Sequence, residues 1–514
     1  MSKNSIAKSA VFLIVITALS KILGFAREMV LAYIYGTSAM SDVIIIGSSV
    51  SGVLFTGITA ALLTAYIPVA SSLLEKGEKR VAQFSSNLMN IGTLLVLILS
   101  LLAVIFIKPI ISLFAVGFEG RILESTITIA VITTISSCFV CVTHISSGYL
   151  QLNGRFGAVG IQSLLLNIIV IVTLVLTVNN SFLIGVGYSL ATIIPAIVIF
   201  LYAIFRGLRY TLKVDLKDKE LLAVLKMAIP IFIGQIAIQL NGMIDKSFAS
   251  TLAEGTVSAL RYASMLCLFA TTLFATTIST VIFPKISIYA ATNDMKNVKK
   301  STVSSLSIIT MIIIPIMVIA ITLSNPIIKL LFERGAFDGQ ATKITAGVFA
   351  IYALGLLGTA FSEILNKSFY SLKDTRTPVI WYSLGVIVNI VLDALLINRF
   401  KQNGLAAATS IASTLIMFLL LIALRRKIGA FGFLDLFKNI LKCCISSIVM
   451  AGVVVLLNNI LGTKLSAGII GNLLSVAIPS CGGITVYLVL LYFLRMKELT
   501  LSLKEIKNKI TIIK

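Results

Sequence analysis

The chain has 514 residues, of which 58% are hydrophobic and only 12% charged, and its mean hydropathy is +1.06. Soluble domains of this length do not have that balance. The formal charge of +22 would suit a nucleic-acid binder, but the basic residues are placed as membrane topology places them, and nucleic acid is not needed to explain them.

Fourteen apolar runs, each long enough to cross about 30 Å of hydrocarbon, follow one another from end to end: 9–34, 43–69, 84–107, 127–150, 157–178, 182–205, 225–250, 257–284, 303–324, 344–370, 378–398, 404–424, 440–461 and 468–494. The composition predicts an all-α polytopic membrane protein with 14 transmembrane helices. The first run lacks a small-residue cleavage site and another span follows at once, so it reads as a retained helix and not a signal peptide. It also carries Lys21, Arg27 and Glu28, and the stretch ends on Asp42. An ionised side chain at the bilayer centre costs at least about 2.5 kcal/mol, so these groups are expected to face one another or a water-filled cavity. A mutual pairing of Lys21 with Glu28, seven residues apart on one helical face, would leave Arg27 over.

With an even number of crossings both termini lie on one side. Thirty of the 42 lysines and arginines fall in the termini and in alternate connections, and eight in the other connections. The richer side reads as cytoplasmic. Pro195, Pro230 and Pro315 lie inside spans, where neighbouring helices can satisfy the carbonyls they free. His144, the only histidine, reads as a hydrogen-bonded core residue, and Glu363 with Lys367 as a structural ion pair. All six cysteines fall within apolar runs, and the lone C-x-x-C of Cys138 and Cys141 reads as two small core residues.

The chain repeats itself. Ile107-Lys-Pro-Ile-Ile-Ser-Leu113 returns as Ser324-Asn-Pro-Ile-Ile-Lys-Leu330, Tyr66-Ile-Pro68 as Ile282-Phe-Pro284, Gly36-Thr37 as Gly255-Thr256, and Tyr149 and Arg155 as Tyr370 and Arg376. The near-constant offset predicts two pseudo-symmetric six-helix lobes, 1–210 and 211–430, followed by an additional helix pair, 431–514. Their axis should run along the membrane normal, as in transporters that rock two halves around a central site. The offset sets Asp42 against Arg261 and Arg27 against Lys246. Lys21, Arg27 and Arg261 would then line one cationic cavity suited to an anionic ligand. Asp245, Asn389, Asp393 and Thr409 form a second polar set of hard oxygen ligands, fit for sodium or a shared proton. A pairing of Asp245 with Lys246, and a helix-end cap for Asp393, are the structural alternatives.

Ser20-Lys-Ile-Leu-Gly-Phe-Ala-Arg-Glu28 resembles the first-helix signature of MurJ-type lipid II flippases, within the superfamily that also holds polysaccharide-repeat flippases and MATE drug exporters. Leu331-Phe-Glu-Arg-Gly-Ala-Phe-Asp338 and Tyr370-Ser-Leu-Lys-Asp-Thr-Arg-Thr-Pro378 are similar to two further signatures, and Val116-Gly-Phe118 and Ile282-Phe-Pro284 also fit. The resemblance implies a transporter, not an enzyme, that moves undecaprenyl-pyrophosphate-linked peptidoglycan precursor from the inner to the outer leaflet of the bacterial cytoplasmic membrane by alternating access. It implies substrate contacts from Lys21, Arg27, Glu28, Asp42 and Arg261, and a lipid-tail groove in the last two helices. It also implies a monomer, with no cofactor beyond a coupling ion, working beside the cell-wall synthesis machinery. Lysine at 21 and glutamate at 28 depart from the usual arginine and aspartate, the second span holds no basic residue, and Met265 stands where the family has arginine, with Arg261 one turn earlier as its substitute.

Two other readings remain at this level. One is a flippase for another lipid-linked unit, such as teichoic acid or capsule. The other is a membrane glycosyltransferase or polymerase, against which the short outer connections argue. A cationic cavity also disfavours a cationic drug as substrate, and the absence of a G-x-x-x-x-G-K-[ST] loop excludes drive by nucleotide hydrolysis in this chain.

Overall fold

The computed structural model describes residues 3–155, 157–462 and 468–500; the basic C-terminal stretch 501–514, counted above with the cytoplasmic side, and the side chain of Pro230 lie outside the described residues. Among the described residues the regular elements are helices, in the order α1 (Lys3–Tyr35), α2 (Ala39–Leu73), α3 (Glu78–Ile105), α4 (Ile107–Phe114), α5 (Gly120–Ser136), α6 (Cys138–Leu152), α7 (Gly157–Leu176), α8 (Ser181–Phe205), α9 (Lys219–Ser250), α10 (Thr256–Thr271), α11 (Thr277–Ala291), α12 (Met295–Thr322), α13 (Ser324–Phe332), α14 (Gly339–Leu354), α15 (Leu356–Ser371), α16 (Arg376–Ile428), α17 (Phe433–Gly462) and α18 (Ile469–Phe493). Among the described residues eight helices are long and apolar enough to cross a bilayer, and ten if each of two bent pairs is one crossing. Helices are the expected solution, because a segment in hydrocarbon must satisfy its own backbone donors and acceptors.

Part of the difference from the fourteen apolar runs has a structural reason. The runs 127–150 and 344–370 are each broken, α5 from α6 by a bend of 41° and α14 from α15 by 42°. Two runs, 378–398 and 404–424, fall inside α16, which is interrupted at Lys401 with φ 50° and ψ −132°. The breaks at Ser137 and Gly355 are equivalent in the repeat, as are the short helices α4 and α13. A cross-helix bond recurs as well: Ser189 Oγ donates to the Ile132 carbonyl at 2.9 Å, and Ser410 Oγ to the Ile351 carbonyl at 2.8 Å.

The helices gather into two compact units, 1–258 with Arg334–Phe337, and 259–333 with 338–514. The helix that opens the expected second lobe, α9, is therefore grouped with the first unit, where it lies along α2. In that unit Phe55, Tyr66, Phe84, Leu88, Ile145 and Leu150 are buried together, with the Tyr66 and Phe84 rings stacked 5.9 Å apart and the Tyr66 hydroxyl 2.8 Å from Ser85 Oγ. In the second unit α17 and α18 join α12 through Met450, Val454, Tyr487 and Leu491. Pro315 in α12 cannot donate to the carbonyl four residues back, which is that of Met311. The Tyr487 hydroxyl donates to that carbonyl at 2.9 Å instead.

The turn between α15 and α16 is built by the Lys373-Asp-Thr-Arg-Thr-Pro378 string. Lys373 takes a left-handed φ of 58°. Asp374 accepts the Thr377 N–H at 3.0 Å and its hydroxyl at 2.8 Å, and pairs with Lys427 at the far end of α16. Burial pushes the Asp374 carboxyl up, but the Lys427 ammonium and the two Thr377 donors outweigh it and hold it at about 2. A carboxyl depressed below its ordinary 3.8 adds stability that is complete above that value and is lost as the pH falls through about 2. The melting temperature of wild type should therefore drop more steeply than that of Asp374→Asn between pH 4 and pH 2. Parallel curves would show that the pair contributes nothing.

Candidate functional site

The polar segment of α1 is held by α7. Gly160 of α7 approaches so closely that a Cβ there would stand 2.3 Å from Ile16. Asn167 Nδ2 donates to the Ser163 carbonyl at 2.9 Å and lies 3.4 Å from the Ser20 carbonyl. On this scaffold Lys21 is exposed, Arg27 half-buried and Glu28 buried. Arg27 Nη2 is 2.8 Å from Glu28 Oε1, so the acid's ion pair is with its neighbour. A guanidinium so oriented keeps further N–H donors in a rigid fork suited to phosphate or carboxylate oxygens.

Asp42, in the first turn of α2, is 3% exposed. Its two oxygens accept backbone N–H groups from Gly255 at 2.8 Å and from Ser258 at 2.7 Å, within the first unit. A carboxylate that accepts backbone donors at the start of a helix satisfies groups otherwise left without partners and opposes the helix dipole favourably.

Nearby, still in the first unit, two loops cross two helix ends in equivalent ways. Gly117 donates its N–H to Ser250 Oγ at 3.1 Å, and a Cβ on it would stand 2.1 Å from the Ser250 carbonyl oxygen. Ala336 donates its N–H to the Tyr33 carbonyl at 2.8 Å, and beside it Gly335, with φ +61°, leaves a Cβ no room against that same oxygen, at 2.3 Å. These are the glycines of the Val116-Gly-Phe118 and Leu331–Asp338 strings, which thereby have a steric reason: only glycine permits this approach of backbone to backbone.

The remaining expected site residues are distributed between the units. Arg261 is exposed and belongs to the second unit, while Asp245 lies on α9 in the first. In the second unit Asn389 and Asp393, one turn apart on α16, are both buried, 2% and 0% exposed. Thr409 lies beyond the Lys401 break and donates its hydroxyl to the Leu405 carbonyl at 3.1 Å. Among the described residues no three His, Cys, Asp or Glu side chains are grouped to hold a metal ion; the expected set relies instead on an amide and a hydroxyl beside its two acids. Glu363 and Lys367 do pair, at 3.9 Å. Cys481 is an exposed cysteine and not a core one, since on α18 it faces outward from the protein.

The linker between α8 and α9 carries contacts that apolar runs do not announce. Asn87 Nδ2 donates to the Asp215 carbonyl at 2.8 Å and its Oδ1 accepts the Asp215 N–H at 2.7 Å, as a strand partner would. Asn90 Nδ2 donates to the Thr211 and Lys213 carbonyls at 2.9 and 3.0 Å, and its Oδ1 accepts the Tyr210 hydroxyl at 2.7 Å. Arg80 closes the strap with ion pairs to Asp218 at 2.8 Å and Glu220 at 2.6 Å. Two asparagines three apart at the polar end of a span were the available signal.

The comparisons with known proteins bear on what such a chain is. A solved structure of a lipid II flippase MurJ in an inward closed conformation superposes with a TM-score of 0.79 at 28% identity, over 94% of this chain and 99% of that one. An inward-facing MATE family multidrug resistance transporter shares the fold, with a TM-score of 0.65 at 15% identity over 82% of this chain and 98% of that one. Probable lipid II flippases MurJ from Rickettsia prowazekii and Vibrio cholerae are 28% and 26% identical, covering 79% and 96% of this chain and 81% and 97% of their own lengths. The family model described as lipid II flippase MurJ matches residues 31–475, and with the fold agreeing over nearly the whole length, the chain belongs to the MurJ family of membrane transporters.

Proposed function

We propose that this chain moves lipid II, the undecaprenyl-pyrophosphate-linked peptidoglycan precursor, from the inner to the outer leaflet by alternating access. The observation that carries the reading is the family match over residues 31–475. The residues of α1 supply its chemistry. Lys21, Arg27 and Arg261 hold the pyrophosphate and the acidic head group, the arginines as bidentate forks and the lysine as a point charge. Glu28 keeps the Arg27 guanidinium oriented between substrates, and Asp42 holds the outer end of the path shut through its bonds to Gly255 and Ser258.

The architecture of this reading is fourteen crossings in two six-helix lobes, 1–210 and 211–430, with 431–514 as the pair that receives the lipid tail. The recurrence of the helices supports it: α9 answers α1, α10 and α11 together answer α2, α12–α15 answer α3–α6, and the two segments of α16 answer α7 and α8. Both termini are cytoplasmic, supported by the asymmetry of lysine and arginine between alternate connections. Coupling is to sodium or a proton through Asp245, Asn389, Asp393 and Thr409. The burial of Asn389 and Asp393 one turn apart supports it, since hard oxygens kept from water suit a small cation. The protein acts as a monomer in the bacterial cytoplasmic membrane, beside the cell-wall synthesis machinery.

Three measurements check these statements. Arg27→Ala should fail to sustain growth of a strain that depends on this gene and should slow flipping roughly tenfold or more, as expected from losing a charged hydrogen bond worth about 1.5–3 kcal/mol. Normal growth and normal flipping would remove Arg27 from the site. For coupling, sodium but not potassium should raise the melting temperature of purified wild type, and Asp393→Asn should abolish the increment; identical melting of wild type in both salts would count against a sodium site. For topology, in a Cys481→Ser background, Glu254→Cys should react with an impermeant maleimide in intact cells, and Lys217→Cys only after permeabilisation. The opposite pattern would invert the assigned orientation.

A further inference from the structure

The second unit contains a cavity that the flippase reading does not use, of about 550 Å³, within the range of ligand sites. It lies between the two ends of α16, where the turn after α15 meets Arg426 and Lys427. One wall is apolar and includes Trp381, the chain's single tryptophan, with Ile380, Leu419 and Ile422. Ile380 and Ile422 are exposed, so this wall runs out onto the lipid-facing surface of the helices. The mouth is polar and cationic. Asp374 is already committed there to Lys427 and to the N–H and hydroxyl of Thr377. Arg426 is exposed and forms no ion pair among the described residues, which leaves one net positive charge at the rim.

An apolar wall that opens sideways and a cationic rim at one end together select an amphiphile with an anionic head. We propose that this cavity binds the phosphate head group and upper acyl chain of an anionic phospholipid drawn from the surrounding bilayer. Arg426 receives the phosphate, Trp381 sits at the level of the head group as aromatic side chains do at membrane interfaces, and the chain lies along Ile380 and Ile422. A zwitterionic lipid would bring its own cation against Arg426, and a soluble phosphate would leave the apolar wall unused. The bound lipid would brace the α15–α16 turn against the end of α16, adding to the Asp374–Lys427 pair. Assignment of the site to the inner leaflet rests on the topology proposed above; the binding chemistry does not.

Native mass spectrometry of the full-length protein in neutral detergent tests this, with phosphatidylglycerol, phosphatidylcholine and glycerol 3-phosphate at equal concentration. Wild type should retain phosphatidylglycerol about fivefold better than phosphatidylcholine and retain no glycerol 3-phosphate. Arg426→Gln should lower phosphatidylglycerol retention about threefold or more and Arg426→Lys should restore most of it, since the charge is what attracts the head group. Equal retention by wild type and Arg426→Gln, or of both phospholipids by wild type, overturns the proposal; retention of glycerol 3-phosphate as strong as that of phosphatidylglycerol overturns the lipid in favour of a soluble phosphate. Detergent has no leaflets, so inverted maleimide labelling would move the site to the outer leaflet and leave these adducts unchanged.

Discussion

An ionised side chain has no low-cost position in hydrocarbon, and the first helix of this protein carries three within eight residues. Much of the organisation described above answers that constraint. Arg27 and Glu28 neutralise each other side by side at 2.8 Å, and α7 meets their helix at Gly160 and, through Asn167, at the Ser20 carbonyl. The arrangement keeps a half-buried guanidinium without stranding its charge. In the function proposed above, the same fork turns from this fixed carboxylate to a mobile phosphate.

The second constraint is that every backbone donor and acceptor must be met inside the membrane. Where the helices break, side chains of other helices step in. Ser189 and Ser410 reach carbonyls just before the bends at Ser137 and Gly355, and Tyr487 takes the carbonyl freed by Pro315. That the two serines do so at equivalent places gives the internal repeat a structural meaning beyond a few matching strings. Gly117 and Gly335 make the same point at the helix ends, where backbone meets backbone.

Much of the all-helical character was legible in the sequence because hydrocarbon thickness acts on local composition. The apolar runs have this character. What composition hides is tertiary. The bends that divide α5 from α6 and α14 from α15 leave no mark in hydropathy, and the grouping of α9 with the first unit depends on its approach to α2. At the site, Asp42 stood out as a charge, but the donors it meets are backbone N–H groups of Gly255 and Ser258, invisible to any count of cations. Asn87 and Asn90 drew no notice as uncharged residues, yet they hold the linker before α9 by both of its backbone faces. The Lys-Asp-Thr-Arg-Thr-Pro string identified a family before its role in the turn was apparent, and the partner that completes it, Lys427, lies 53 residues away.

The central claim is that a cationic site at membrane depth carries a pyrophosphate-linked lipid across the bilayer. Purified protein reconstituted into vesicles with lipid II in both leaflets, followed by enzymatic modification of the outer-leaflet pool alone, tests it most directly. The account predicts that protein-containing vesicles yield nearly all of their lipid II to the external enzyme, while protein-free vesicles yield only the half that faces out. Equal yields from the two, with the protein shown to be folded in the membrane, would contradict it.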